Sequence, residues 1–189
     1  MYKEKIKIAV SGAADENICS KKAIKLAREI GKEIVRQGCI LITGATTGVP
    51  YYSALGAKEG KGISIGFSPA ASSLAHIKTY RLPVDAFDVI VYTGFGYAGR
   101  NLLMTRAADG VIIISGRMGT LNEFTISFED EKPIGVLEGT GGIADEIRTI
   151  VKRPFRGKMN IIYGENPKDL VKKIIELIKK EKVVKKNKK

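Results

Sequence analysis

Val111-Ile112-Ile113-Ile114-Ser115-Gly116-Arg117-Met118-Gly119-Thr120-Leu121-Asn122-Glu123 places four consecutive β-branched residues directly before a glycine turn and a helix-like start. A run that is apolar at every position belongs to a strand buried on both faces, the condition of a parallel sheet covered by crossover helices. Working outward, residues 6–10, 39–42, 63–67, 89–92, 134–137 and 160–163 read as further strands. Between them, Ala23, Leu26, Ala27, Ile30 and Ile34 recur at helical spacing, as do Leu170, Val171, Ile174, Ile175 and Ile178. The last helix has a clear start: Asn166 can cap it and Pro167 takes the first position, where a missing N–H is harmless. This alternation predicts an α/β fold, a Rossmann-like doubly wound and mostly parallel sheet with helices on both faces.

The length of 189 residues suits one domain, here residues 1–181, followed by a basic tail at 182–189 that reads as disordered. Of the formal charge of +12, the nine Lys and two Glu of residues 172–189 account for +7, leaving +5 on the rest. An excess concentrated at one end reads as a solvated terminus, so nucleic acid is not the expected partner, and DNA binding through the tail is the minor alternative. No apolar run approaches the span of a bilayer, and the start MYKEKIKIAVSG lacks a signal-peptide pattern, so the expected location is cytoplasmic with no membrane partner. Cys19 and Cys39 form no C-x-x-C pair, and His76 is the single histidine, which excludes imidazole-rich metal sites and histidine relays. A serine–histidine mechanism would need His76 as its base. No metal and no resident cofactor are expected.

Ligands on such a sheet bind beyond the carboxyl ends of the strands. Four loops there are rich in Gly and hydroxyls. Ser11 and Gly12 follow the first strand; Gly44, Thr46, Thr47 and Gly48 follow the second, with Pro50 placed to open a helix. Gly94 and Gly96 lead to Arg100 and Asn101, and Gly116, Arg117, Gly119 and Thr120 follow the fifth strand. Glycine lets a backbone approach an anion and helix N-termini offer free N–H groups, so these residues are candidate phosphate or nucleotide ligands. Gly94, Gly96 and Gly99 also fit the short G-x-G-x-x-G pattern, and with Arg117 nearby an NADP-dependent oxidoreductase is a less favoured alternative. Thr120-x-x-Glu123 reads as a capping box, with Glu123 structural. Against that, a carboxylate beside a phosphate loop is unfavourable unless it has a task or an Arg partner, and Arg100 emerges from the neighbouring loop. For Arg117 the expectation is an inward side chain that contacts phosphate or pairs with Glu123.

Gly99-Arg100-Asn101, Met104, Ala108-Asp109 and Gly116-x-x-Gly119-Thr120-x-x-Glu123 together resemble the Lonely Guy family and its Rossmann-like relatives, which include molybdenum-cofactor carrier proteins and DNA-processing protein A. The resemblance spans about residues 5 to 165. It implies a phosphoribohydrolase that cleaves the N-glycosidic bond of a nucleoside 5′-monophosphate, with Arg100 and Glu123 as the catalytic pair, and a homo-oligomer with its site near the subunit boundary. Three positions depart from the family pattern: Ser115 stands for its Pro, Asn101 for its Lys and Arg117 for its second Gly. The departures favour the alternative, a non-catalytic carrier or sensor of a nucleotide or a phosphorylated, pterin-type cofactor.

Overall fold

A computed structural model of the chain describes residues 4–16, 19–152 and 160–187. Seven strands form one sheet: β1 (Lys7–Gly12), β2 (Ile40–Thr43), β3 (Ser64–Ser68), β4 (Val89–Tyr92), β5 (Gly110–Ile114), β6 (Ile134–Leu137) and β7 (Ile161–Gly164). Their order is β4-β3-β2-β1-β5-β6-β7, and every neighbouring pair is parallel. The helices are α1 (Lys21–Arg36), α2 (Val49–Glu59), α3 (Gly96–Ala107), α4 (Met118–Glu129), α5 (Ile143–Ile150) and α6 (Pro167–Asn187). The chain steps from β1 out to β4, returns across the sheet through α3 to β5, and then steps outward the other way, so β1 and β5 flank the topological switch point.

The run that opens the sequence divides its side chains between two cores. Ile112 and Ile114 join Ile8, Val10 and Leu41 under Ala27, Ile30 and Ile34 of α1 and Ile174 of α6. Val111 and Ile113 join Ala9, Ile42 and Val136 under Met104, Phe124 and Ile147 of α3, α4 and α5. Both sets are fully buried, which is why alternation is absent from the sequence. Ser20 caps α1 by accepting from the Ala23 amide at 3.0 Å. Asn166 caps α6 as expected, its Oδ1 accepting from the amides of Lys168 at 2.9 Å and Asp169 at 3.2 Å.

The C-terminal boundary differs from the sequence reading. α6 continues to Asn187, so a tail beginning at 182 falls largely within the helix, while residues 188 and 189 lie outside the described residues. Glu181 is buried and Lys182 Nζ lies 2.9 Å from Asp109 Oδ1, contacts that hold the helix beyond its last apolar turn. Among the described residues no helix is long and apolar enough to cross a membrane.

Candidate functional site

A cavity of about 240 Å³ opens at the carboxyl edge of the sheet, beside the switch point. Ser11 and Gly12 border it from the end of β1, Gly44 and Thr46 from the loop after β2, and Arg100 and Asn101 from α3. Arg117, Gly119, Thr120 and Glu123 border it from the start of α4. The turn into α4 explains the last group. Ser115 (φ 53°) and Gly116 (φ 104°) are both left-handed, an arrangement disfavoured at Ser and permitted at Gly, and together they reverse the chain into the helix. Thr140 Oγ1 accepts from the Ser115 amide at 2.9 Å and fixes the turn.

This turn also overturns the capping box. The helix begins at Met118 with Arg117 as its N-cap and no side-chain capping bond, so Thr120 and Glu123 lie inside it. Glu123 instead points into the protein, 6% exposed, with Oε1 accepting from Arg100 Nη1 at 2.9 Å and Oε2 accepting from the Ser11 hydroxyl. Burial pushes its carboxyl above the ordinary range, opposed by the Arg100 charge and the Ser11 hydrogen bond. Burial likewise pulls the Arg100 guanidinium down, opposed chiefly by Glu123. Arg100 Nε has no hydrogen-bond partner among the described residues, a buried donor left for something else to satisfy.

Gly44 sits under that guanidinium: a Cβ there would fall 2.3 Å from Nη1 and 2.7 Å from Cζ. Asn101, at the family's Lys position, donates from Nδ2 to Asn122 Oδ1 at 2.9 Å and so ties α3 to α4. Arg117 does not pair with Glu123. Its side chain is 61% exposed and its Nη1 lies 3.5 Å from Asp15 Oδ2, across the cavity rim. The expected partner is already engaged by Arg100, and a surface carboxylate on the β1 loop is nearer the turn.

Five expected ligands are not among the cavity-lining residues. Thr47 Oγ1 donates to the Ala14 carbonyl at 2.6 Å, and a side chain on Gly48 would strike the Ala13 carbonyl at 2.3 Å, so this pair clamps the β1 loop. The Gly94 and Gly96 amides donate to the carbonyls of Ala70 and Pro69. Gly116 packs against the Thr120 side chain, and its carbonyl accepts from Ile143. His76 is remote as well: Nδ1 meets Ser68 Oγ at 2.8 Å and Nε2 meets the Pro83 carbonyl at 3.0 Å, so both ring nitrogens are engaged in the interior. Sequence reading missed Tyr97 and Asp15, which also line the cavity. Each sits within three residues of a glycine already singled out, so a wider reading of the same loops would have included them.

Comparison with known proteins places this geometry. An uncharacterised protein of Archaeoglobus fulgidus is 29% identical over 133 residues, 70% of this chain and 80% of that one. The solved molybdenum cofactor binding protein from the phototrophic bacterium Rippkaea orientalis is 25% identical, with a TM-score of 0.76, over 93% of this chain and 98% of that chain. A Moco carrier protein from Chlamydomonas reinhardtii is 25% identical, with a TM-score of 0.76, over 94% and 99% of the two chains. DNA processing protein A from Streptococcus pneumoniae, at 17% identity, a TM-score of 0.65 and coverage of 89% and 61%, shares the fold. These structures bear out the Rossmann-like α/β reading, and they include two of the relatives named by the sequence resemblance. A family model matches residues 5–171, the β1 loop, the α3 arginine and the α4 carboxylate included, and on that match the chain belongs to the SLOG cluster4 family.

Proposed function

We propose that this chain binds and carries a phosphorylated small molecule of the pterin-cofactor class, seating its phosphate in the cavity at the switch point and leaving it intact. The observation that carries this reading is the condition of Glu123. Its two carboxylate oxygens are held by Arg100 and Ser11, and the residue is buried. A carboxylate that orients water against a sugar carbon needs an oxygen given over to that water, and although Glu123 borders the cavity, both of its oxygens already serve Arg100 and Ser11. The solved relatives described as molybdenum cofactor binding and carrier proteins support a cargo of that class.

The residues present fit a phosphate. The N-terminus of α4 contributes amides around Gly119 and Thr120, the end of β1 adds Gly12, and Arg117 lies at the rim with an exposed charge. Arg100 Nε supplies a further donor. A volume of about 240 Å³ is below the roughly 300 Å³ at which whole drug-sized ligands are enclosed, so the cavity suits the phosphate end while the rest of the ligand extends past Arg117 and Tyr97.

Hydrolysis of a nucleoside 5′-monophosphate, the Lonely Guy type of reaction, is the second reading. It is favoured by the Arg100–Glu123 contact at 2.9 Å, since that resemblance makes the two residues a catalytic pair. Calorimetric titration with a phosphorylated pterin, its dephosphorylated form and AMP tests the phosphate seat. The phosphorylated pterin is expected to bind at least about tenfold more tightly than the dephosphorylated one, a difference of about 1.4 kcal/mol. Equal affinity of the two pterins overturns the assignment.

A further inference from the structure

The wall of the cavity grades from a polar depth to an aromatic mouth. α3 starts at the carboxyl edge of the sheet, so the residues of its first turn stand at the opening and those of its second lie deeper. Arg100 and Asn101, both buried, hold the depth, where they are tied to Glu123 and Asn122 of α4. Tyr97 stands three residues before Arg100, on the same side of the helix and about 4.5 Å nearer the opening. It is 51% exposed, and among the described residues it is the one aromatic side chain in the cavity wall.

That ring is held in place. The Tyr80 ring, from the segment between β3 and β4, meets it edge to face, with centroids 5.7 Å apart and planes at 73°. In such an arrangement Tyr80 occupies at most one of the two faces of the Tyr97 ring. Burial lifts the Tyr97 hydroxyl above its ordinary value, against the pull of the Arg100 charge, so the ring stays a neutral phenol across the physiological range. A neutral aromatic face already fixed in orientation loses little rotamer freedom when a flat ligand covers it. Phe95 offers a contrast: it is 69% exposed and rests over Gly99, where a Cβ would fall 2.8 Å from its own, outside the cavity wall.

We infer that Tyr97 is the platform on which the planar ring of the ligand stacks, and so the residue that selects a flat heteroaromatic cargo over a ring-free phosphate ester. This deepens the carrier reading and rests on it for the direction of the ligand, phosphate inward and ring outward. A phosphate seated near Arg100 Nε and the first amides of α4 lies about one helical turn, roughly 5 Å, below the Tyr97 ring, a separation that the few bonds between phosphate and ring can span. Stacking reads a π-face and not an edge pattern of donors and acceptors. Tyr97 therefore selects for flatness, and the same platform accepts a pterin or a purine.

Calorimetric titration of the full chain with a phosphate-free pterin tests the platform separately from the phosphate seat. Tyr97→Ala should weaken this binding by roughly tenfold or more, the loss of one ring-on-ring stack, whereas Tyr97→Phe, which keeps the ring, should stay within about twofold of wild type. Ribose 5-phosphate has no aromatic ring, so its affinities for wild type and Tyr97→Ala should agree within about twofold. Phe95→Ala should leave the affinity for the pterin unchanged. No detectable pterin binding by wild type, a Tyr97→Ala variant that binds the pterin as wild type does, a Tyr97→Phe variant as weak as Tyr97→Ala, an equal loss for ribose 5-phosphate, or an equal effect of Phe95→Ala overturns the inference. Equal affinity of wild type for phosphorylated and phosphate-free pterin overturns the carrier reading alone, and the Tyr97 ratios still decide the platform.

Discussion

Replacing Gly44 by Ala isolates the buried ion pair from every other feature of the site. The φ of Gly44 is not positive, so its backbone accepts Ala, and only space objects. The new Cβ would lie 2.3, 2.7 and 2.8 Å from Nη1, Cζ and Nη2 of Arg100. Restoring ordinary contact requires the guanidinium to retreat by roughly 1 Å. Its Nη1 holds Glu123 at 2.9 Å, so the retreat takes that hydrogen bond out of range. Overpacking alone costs about 1–3 kcal/mol, and breaking a buried pair about 3–5 kcal/mol. The expected loss is about 3 kcal/mol, which at about 2–4 °C per kcal/mol lowers Tm by about 6–12 °C. Urea unfolding should be measured for Gly44→Ala in the wild-type and Arg100→Ala backgrounds. With the guanidinium gone, the second Ala should cost less than about 0.5 kcal/mol, because the space it needs is vacant. An equal cost in both backgrounds would mean that Gly44 is not required by the Arg100 guanidinium and has some other duty.

Three further outcomes are expected. Arg100→Met combined with Glu123→Leu should be at least as stable as wild type while phosphate-ester binding is lost, since an apolar replacement of a buried pair is often neutral or stabilising; a net loss above about 2 kcal/mol in the double variant contradicts a pair retained for its ligand. Because burial raises the folded-state value of Glu123, its stabilising contribution is complete at acid pH, below the unfolded value, and is lost as pH rises through the folded value. Wild-type unfolding free energy should accordingly fall relative to that of Glu123→Gln as pH rises above about 4, the ordinary Glu value, and a difference moving the other way rules this out. Arg117→Gly, which removes an exposed rim contact to Asp15, should alter stability by less than about 1 kcal/mol yet weaken binding of a phosphorylated pterin by roughly tenfold; unchanged affinity in a titration would remove Arg117 from the site.

The fold was legible because each strand is a local signal. A four-residue apolar run such as residues 111–114 reports burial on two faces without knowledge of its neighbours, and β4 and β6 have the very bounds their patterns predict. The pairing of Arg100 with Glu123 was legible too, since both lie at fixed offsets from glycine turns. Ser11 as the second partner of Glu123 was not, because 112 residues separate them and only the β1–β5 register brings them together. The capping box failed for a related reason. Thr-x-x-Glu marks a helix start only if the chain is still extended at Thr120, and the left-handed pair Ser115 and Gly116 had already turned it. Likewise the direction of Arg117 depends on Asp15 in another loop, and the course of α6 past Lys180 depends on Asp109 at the opposite end of the sheet. Local spacing places a side chain on an element, whereas its partner is chosen by topology.

The fate of a bound phosphate ester tests the carrier reading most directly. Native mass spectrometry should follow the protein with AMP, and separately with a phosphorylated pterin, over several hours, with free base and ribose 5-phosphate quantified in the same samples. The expected result is an adduct of unchanged mass for the phosphorylated pterin and no base released from AMP above the rate of a protein-free control. Free base accumulating at a rate that Glu123→Gln abolishes would contradict it and make the buried pair catalytic.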